Sequence, residues 1–316
     1  MQQIHIVLTM DNERPTSETD NAASGPPDYA AAEAWTRAYA DIAAEYGFPV
    51  TFFVHPEVAV AQTGLFRELE ENGHCLGLHL HAWRFDPRYR CEFGGLTEEQ
   101  ARAMLTEASA IWQRTFGAPP KYFRPGTLSA NDSIFRVLAA LGFRGGSISL
   151  PGRVFPDKHA VWMGAPLDPH RGHAFFRLME GDLDFANMPI TVDCSTLMEK
   201  DGRHFYWDLR PDFPDVDHKI LVRNAVDQIM LRKPAVPCIN LLTHNDNDFT
   251  DPENRVRRNF RTALDEIVAA CRSANLQPVG ATLAQICDLV LAQPIVEKEF
   301  DPSGGRVIFD TDDRPR

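Results

Sequence analysis

Residues 73–83 read Gly-His-Cys-Leu-Gly-Leu-His-Leu-His-Ala-Trp. On a strand, side chains alternate between faces, so His79, His81 and Trp83 share one face and Leu78, Leu80 and Ala82 the other. Two imidazoles at this spacing suit a divalent metal, because imidazole nitrogen is a good ligand for zinc and similar ions. Burying both on one face carries a desolvation cost unless each finds a partner. A second polar group closes the first apolar run, where Val7-Leu8-Thr9-Met10 meets Asp11-Asn12-Glu13. It reads either as a solvated strand end with an Asx turn or as two carboxylates, one holding an ion and the other taking a proton from water. Arg124 precedes Pro125-Gly126. It is either a surface strand end or a guanidinium paired with a catalytic carboxylate. His244 ends the apolar run Ile239-Asn240-Leu241-Leu242-Thr243 and is a candidate general acid, since imidazole titrates near neutrality.

These residues need elements to place them. Apolar strand-like runs alternate with helical ones, the rhythm of an α/β protein with a parallel sheet. Strands are expected at residues 4–10, 49–54, 75–82, 121–124, 145–150, 188–192, 236–243 and 277–279. Helices are expected at 28–46, 65–72, 97–116, 131–142, 217–232, 252–274 and 283–292. Thr97 and Gln100 form a capping box, and Asn131 or Asp132 caps the following helix. Asp11, Glu13, His79, His81, Arg124 and His244 all fall at or after strand ends, where barrels of parallel strands gather their catalytic groups. Residues 151–187 lack periodicity and read as a long insertion loop. Its polar residues belong to solvent, or it forms a lid with Trp162, Phe175 and Phe176 as stacking groups. The expected organisation is one catalytic domain over residues 1–293 and a C-terminal hairpin or tail over 294–316.

Composition excludes some classes. The net charge of −12 argues against a nucleic-acid ligand held by bulk charge. No segment approaches the ~20 apolar residues of a membrane span. The N-terminus lacks the basic and apolar regions of a leader, so a cytoplasmic location is expected. The six cysteines are scattered without a C-x-x-C pair and read as reduced thiols. The pattern leaves the oligomeric state open.

In this order, these residues resemble the polysaccharide deacetylase family, also called the NodB-homology or carbohydrate esterase family four. Thr9-Met10-Asp11-Asn12-Glu13 is similar to its first motif, Gly77–Trp83 to its second, Phe123-Arg124-Pro125-Gly126 to its third and Leu242-Thr243-His244 to its fifth. Two departures stand out. Trp83 occupies the position of the second histidine of H-x-x-x-H, which leaves His81 to serve. Gly142-Phe143-Arg144-Gly145-Gly146-Ser147 lacks the acid of the fourth motif, with Asp193 as a spatial substitute.

The resemblance implies a distorted (β/α) barrel of about seven strands. It implies a metal-dependent hydrolase of a C–N amide bond, most simply one that N-deacetylates an amino-sugar-containing saccharide. Glu13, His79 and His81 would hold zinc or a similar ion. Asp11 would be the base, Arg124 would keep it ionised, and His244 would protonate the leaving amine. Asn12, Trp83 and Pro125 would touch substrate. The alternatives are an allantoinase-like or imidase-like hydrolase of a cyclic amide, or a catalytically silent saccharide-binding protein.

Overall fold

In the computed structural model, which describes residues 2–18, 25–213 and 216–295, strand β1 (Gln2–Asn12) is an interior strand of the main sheet. Ile4, Ile6, Val7, Leu8 and Met10 are all inaccessible, so β1 is covered on both faces. That is the mark of a parallel sheet packed by crossover elements. The other parallel strands are β2 (Val50–Val54), β3 (Cys75–Leu80), β4 (Tyr122–Pro125) and β5 (Gly145–Gly146). Short pairings follow: β6 (Val154–Phe155), β7 (Ala160–Val161), β8 (His170–Arg171) and β9 (Ala186–Asn187). The last four strands are β10 (Val192–Lys200), β11 (Arg203–Asp208), β12 (Cys238–His244) and β13 (Leu276–Gly280).

The main sheet has the order β12-β1-β2-β3-β4-β5-β9-β8, and β13 pairs with the amino half of β1. All neighbours are parallel except β8 and β9. The result is a mixed α/β fold with a curled half-barrel sheet. Among the described residues no strand ladder joins β12 to β9. The gap is bridged instead by the connecting segment: Thr191 N–H donates to the Asn240 carbonyl (3.1 Å), and Asn240 N–H donates to Thr191 Oγ1 (2.8 Å). The Asn240 amide donates to Ser147 Oγ and the Pro189 carbonyl, both at 3.0 Å.

Helices α1 (Tyr29–Ala44), α2 (Pro56–Ala61), α3 (Thr63–Glu71), α4 (Ala82–Phe85) and α5 (Glu98–Phe116) occupy the first half. Helices α6 (Ile134–Ala140), α7 (His218–Arg232), α8 (Arg255–Ser273) and α9 (Leu283–Leu291) complete the set. The Thr97/Gln100 capping box opens α5, and Gly117 at φ 89° ends it in the left-handed conformation that favours glycine. Ser133, not Asn131 or Asp132, is the residue that starts α6, while Asn131 Oδ1 accepts from Ser133 N–H at 3.0 Å. Tyr39 of α1 stacks on Phe260 of α8 with centroids 4.4 Å apart, and Phe249 packs edge-on against both. This aromatic cluster joins the first and last helical layers.

Three expectations change. The strand expected over 145–150 stops after Gly146, because the Asn187 side chain accepts Ile148 N–H (3.1 Å) in place of a ladder carbonyl. The 151–187 segment is not one loop. It contains β6 to β9, and β6 and β7 join the β10–β11 hairpin in a second sheet of order β10-β11-β6-β7. The strand expected at 188–192 begins only at Val192 and runs on to Lys200. Two-residue pairings are too short to leave a period in sequence, and β10 is mostly exposed past Asp193, so hydrophobic alternation does not report it. The C-terminal hairpin expected over 294–316 lies almost wholly outside the described residues. All six cysteines are free thiols.

Candidate active site

Parallel register builds the site. Asp11 at the end of β1 stands opposite His244 of β12, and His79 of β3 stands opposite Arg124 of β4. Four strands therefore deliver four chemically capable groups to the carboxyl edge of one sheet.

Arg124 is fully buried. It donates to Asp11 Oδ1 (2.8 Å), Thr9 Oγ1 (2.9 Å) and the Ser147 carbonyl (3.4 Å), and it lies over the Phe53 ring at 4.1 Å. Burial pulls its pKa down while the Asp11 carboxylate opposes that. Of the two readings of Arg124, the surface strand end is ruled out. Asp193 does not replace the missing acid of the fourth motif. Its carboxylate is taken by Asn224 (2.7 Å), Gln228 (2.8 Å) and Ser195 N–H (2.9 Å), which fasten β10 to α7. The Thr9 hydroxyl and the Ser147 carbonyl orient Arg124 instead.

Glu13, His79 and His81 offer one ligand atom each, all within 4.8 Å of one another and all buried. Glu13 Oε1 lies 3.3 Å from His79 Nε2 and 2.9 Å from His81 Nε2. His79 Nδ1 lies 3.0 Å from the Arg124 carbonyl, which can only accept, so that nitrogen is anchored and Nε2 faces Glu13. His81 Nδ1 faces Glu92 Oε1 at 2.7 Å. An imidazole anchored through one nitrogen on a carbonyl or carboxylate, with the other aimed at a shared point, is how metal-binding histidines are held. The donor set therefore fits a divalent ion with one carboxylate and two imidazoles.

Burial lowers the His81 pKa, but Glu13 and Glu92 more than reverse this and raise it to about 9. Burial raises that of Glu13, yet the His81 charge and the two imidazole hydrogen bonds hold it well below the usual carboxylate range. Arg84 closes the network by donating to Glu13 Oε2 at 2.7 Å. Gly126 is required here, since a Cβ at that position would meet His81 Nδ1 at 2.2 Å.

β3 ends at Leu80, and His81 is the residue that opens α4. Trp83 therefore leaves the face shared by the imidazoles. Its indole donates to Glu92 Oε1 at 2.8 Å, and it does not line the cleft. Asn12 turns the other way, accepting from Thr36 Oγ1 at 3.0 Å, fully buried. Pro125 is buried in β4 opposite Leu80. None of the three residues expected to touch substrate reaches the cleft surface.

His244 Nε2 lies 3.9 Å from Asp11 Oδ2, the same oxygen that stands 3.9 Å from His79 Nε2. His244 Nδ1 lies 3.5 Å from Asp212 Oδ2. Burial lowers its pKa, and the Asp212 and Asp11 carboxylates outweigh this to raise it to about 9. Burial raises that of Asp212, but the His244 hydrogen bond and the Arg210 charge hold it far below the usual carboxylate range.

Sequence reading missed Arg84, Glu92 and Asp212, and left Asn245 between a second polar cluster and a loop of turn formers. Asn245 clamps Glu13 through its backbone, Oδ1 to N–H at 2.9 Å and Nδ2 to carbonyl at 3.2 Å. It also missed His55. That ring directly follows β2, has no exposure, pairs with Glu57 at 2.5 Å and leaves Nε2 buried without a partner. Its position after an apolar strand was the available signal.

A cleft of about 300 Å³ opens over these groups. Asp11, Glu13, His81 and His244 form its floor, and Arg153, Phe155 and Arg210 stand in its wall. Thr127 and Leu128 line it in left-handed backbone, φ 53° and 54°. Their carbonyls are held by Arg153 (3.0 Å) and the Trp162 indole (2.6 Å). Trp162 is thus a buried strut, and Phe175 and Phe176 are exposed away from the cleft, so none of the three stacks on substrate. Phe155 is the aromatic ring at the site.

A carboxylate clamped by a guanidinium, a Glu-His-His cluster and a facing imidazole share the edge of one parallel sheet. Residues 4–146 match the family model described as polysaccharide deacetylase, the family the motifs resemble. That match supports a hydrolase of the deacetylase kind. Among solved structures the chain is similar to a Mycobacterium smegmatis protein provisionally described as a polysaccharide deacetylase. That match has 16% identity and a TM-score of 0.57, and covers 93% of both chains. It is also similar to the allantoinase PuuE, at 13% identity and a TM-score of 0.56, covering 90% of this chain and 89% of that one. Both likenesses establish the fold. No curated protein matches the sequence. Among the described residues no helix is long and apolar enough to cross a membrane.

Proposed function

We propose that the protein hydrolyses the N-acetyl group of an amino-sugar-containing saccharide, with a divalent ion, zinc by the chemistry of the donors, held by Glu13, His79 and His81. The observation that carries the reading is Asp11 Oδ2. Arg124 occupies the other oxygen at 2.8 Å, and Oδ2 faces His79 and His244 at 3.9 Å each. It is a free proton acceptor between the would-be ligand cluster and a proton donor.

When bound, the ion supplies Lewis acidity and lowers the pKa of water. Asp11 takes a proton from the attacking water as its oxygen bonds to the acyl carbon. Arg124 fixes the orientation of that carboxylate. His244, carrying a proton on Nε2, delivers it to the amide nitrogen as the C–N bond breaks, because an unprotonated amine anion is a poor leaving group. Acetate and a free amine leave. Phe155 offers an aromatic ring in the cleft lining.

The test is acetate release from N-acetylated saccharides by the zinc-loaded protein, its chelated form and an Asp11→Asn variant. The reading expects release in the first alone. Release that survives complete metal removal overturns the metal role, and release by Asp11→Asn overturns Asp11 as base.

A further inference from the structure

Cations cluster along one wall of the cleft, opposite the carboxylates of its floor. The chain carries a net charge of −12, yet Arg84, Arg153, Lys158, Arg203 and Arg210 all line this one cleft. Arg84 is taken by Glu13 at 2.7 Å, and Arg203 by Asp157 through its Nε at 3.1 Å. The remaining three are not fully matched. Arg153 and Arg210 both face Asp208, and the Asp212 carboxylate lies near them as well. Arg210 forms a two-point pair with Asp208, whereas Arg153 stands off at 3.6 Å. Arg153 is nine-tenths buried, and its Nε has no hydrogen-bond partner. Asp212, the other acid on that side, faces His244. Lys158 is exposed and has no carboxylate partner among the described residues. A loosely held guanidinium at 3.6 Å from Asp208, beside an ammonium with no carboxylate partner among the described residues, leaves donors that an anionic ligand can complete.

The placement says which part of a ligand it meets. Arg153 leads into β6, Lys158 lies between β6 and β7, and Arg210 follows β11, so all three belong to the second sheet. The catalytic groups lie on the main sheet opposite. A substrate spanning the cleft would put its amide over Asp11 and its other end against these cations. The volume of about 300 Å³ is of monosaccharide scale.

We propose that the natural substrate is an N-acyl saccharide carrying a fixed acidic group, carboxylate or phosphate, which Arg153, Arg210 and Lys158 receive. This deepens the amide-hydrolase reading and rests on it for the position of the amide. Recognition is by contact, since the field of the whole acidic protein repels anions at a distance.

Calorimetric binding of N-acetylglucosamine, N-acetylglucosamine 6-phosphate and N-acetylmuramic acid to the zinc-loaded protein tests it, with acetate release followed on the same three. The acidic sugars are expected to bind at least ~10-fold tighter than the neutral one, as charge-assisted contacts allow. The stronger of the two identifies the acid. Lys158→Gln, an exposed change that the fold tolerates, is expected to cut the acidic-to-neutral ratio by about threefold or more. Equal affinities, or a ratio unmoved by Lys158→Gln, overturn the inference. Absence of acetate from all three overturns the hydrolase reading instead, and the binding ratio still decides the charge proposal.

Discussion

Asp212→Asn isolates the proton donor. His244 is held at about 9 by Asp212 and Asp11 against the opposing effect of burial. Removing the Asp212 charge lets it fall toward ~6.5, the ordinary imidazole value. Part of the rise persists, because Asp11 remains 3.9 Å away. At pH 8 about nine in ten rings carry the proton when the pKa is about 9, against about 3% at a pKa of ~6.5. The variant should therefore lose ~10–30-fold in kcat/KM at pH 8, and less than about twofold at pH 6, where both forms are mostly protonated. The alkaline limb of the profile should move down from about 9. The sign for stability is the same. A histidine raised by folding contributes fully below ~6.5 and loses that contribution as pH rises through about 9, so the variant should be less stable than wild type at acid and neutral pH and converge with it above. The assay is acetate release from pH 5 to 10 with parallel urea melts. An unmoved alkaline limb in Asp212→Asn would refute His244 as the acid and the Asp212 pairing as its cause.

Other perturbations separate positioning from folding. Arg124→Met strands Asp11 in a buried site, and about 3–5 kcal/mol of stability should be lost in urea unfolding at pH 7, where Arg124 is fully buried and 2.8 Å from Asp11. Glu92→Gln weakens the anchor on His81 Nδ1 at 2.7 Å, and zinc affinity by chelator competition should fall ~10–100-fold with the fold intact by circular dichroism. In Gly126→Ala the new Cβ would lie 2.2 Å from His81 Nδ1, so the ring must move. Zinc affinity should drop while the melt shifts by no more than about 1–3 kcal/mol.

How much of this could be read from the chain divides along physical lines. Asp11, Glu13, His79, Arg124 and His244 follow apolar runs of a parallel sheet, where strand direction alone sends them to one edge, so order in sequence predicted proximity in space. Trp83 leaves the face of His79 because strand alternation stops at Leu80, where the chain turns into α4 and gives the indole to Glu92. Glu92, Arg84 and Asp212 lie in irregular or short elements whose partners come from tertiary approach, and no local period marks them. The cleft wall was the hardest part. Its strands β6 and β7 hold two residues each, and β6 reaches the hairpin only through Val154 opposite His204, so 151–187 carries no strand period in sequence. A sheet built from distant short pieces has no sequence signature beyond the charges it carries. The cations along it were visible as residues, but not as a surface.

The central claim, that Asp11 works beside a Glu13-His79-His81 metal site to cleave an amide, is tested most directly by zinc stoichiometry and acetate release on the same samples. Wild type is predicted to hold one zinc and to release acetate and free amine in equal amounts from an N-acetylated saccharide. Asp11→Asn is predicted to keep the zinc and lose ~10²–10⁴-fold in rate, and His79→Ala to lose both. Turnover by zinc-free protein, or by Asp11→Asn at the wild-type rate, would contradict it.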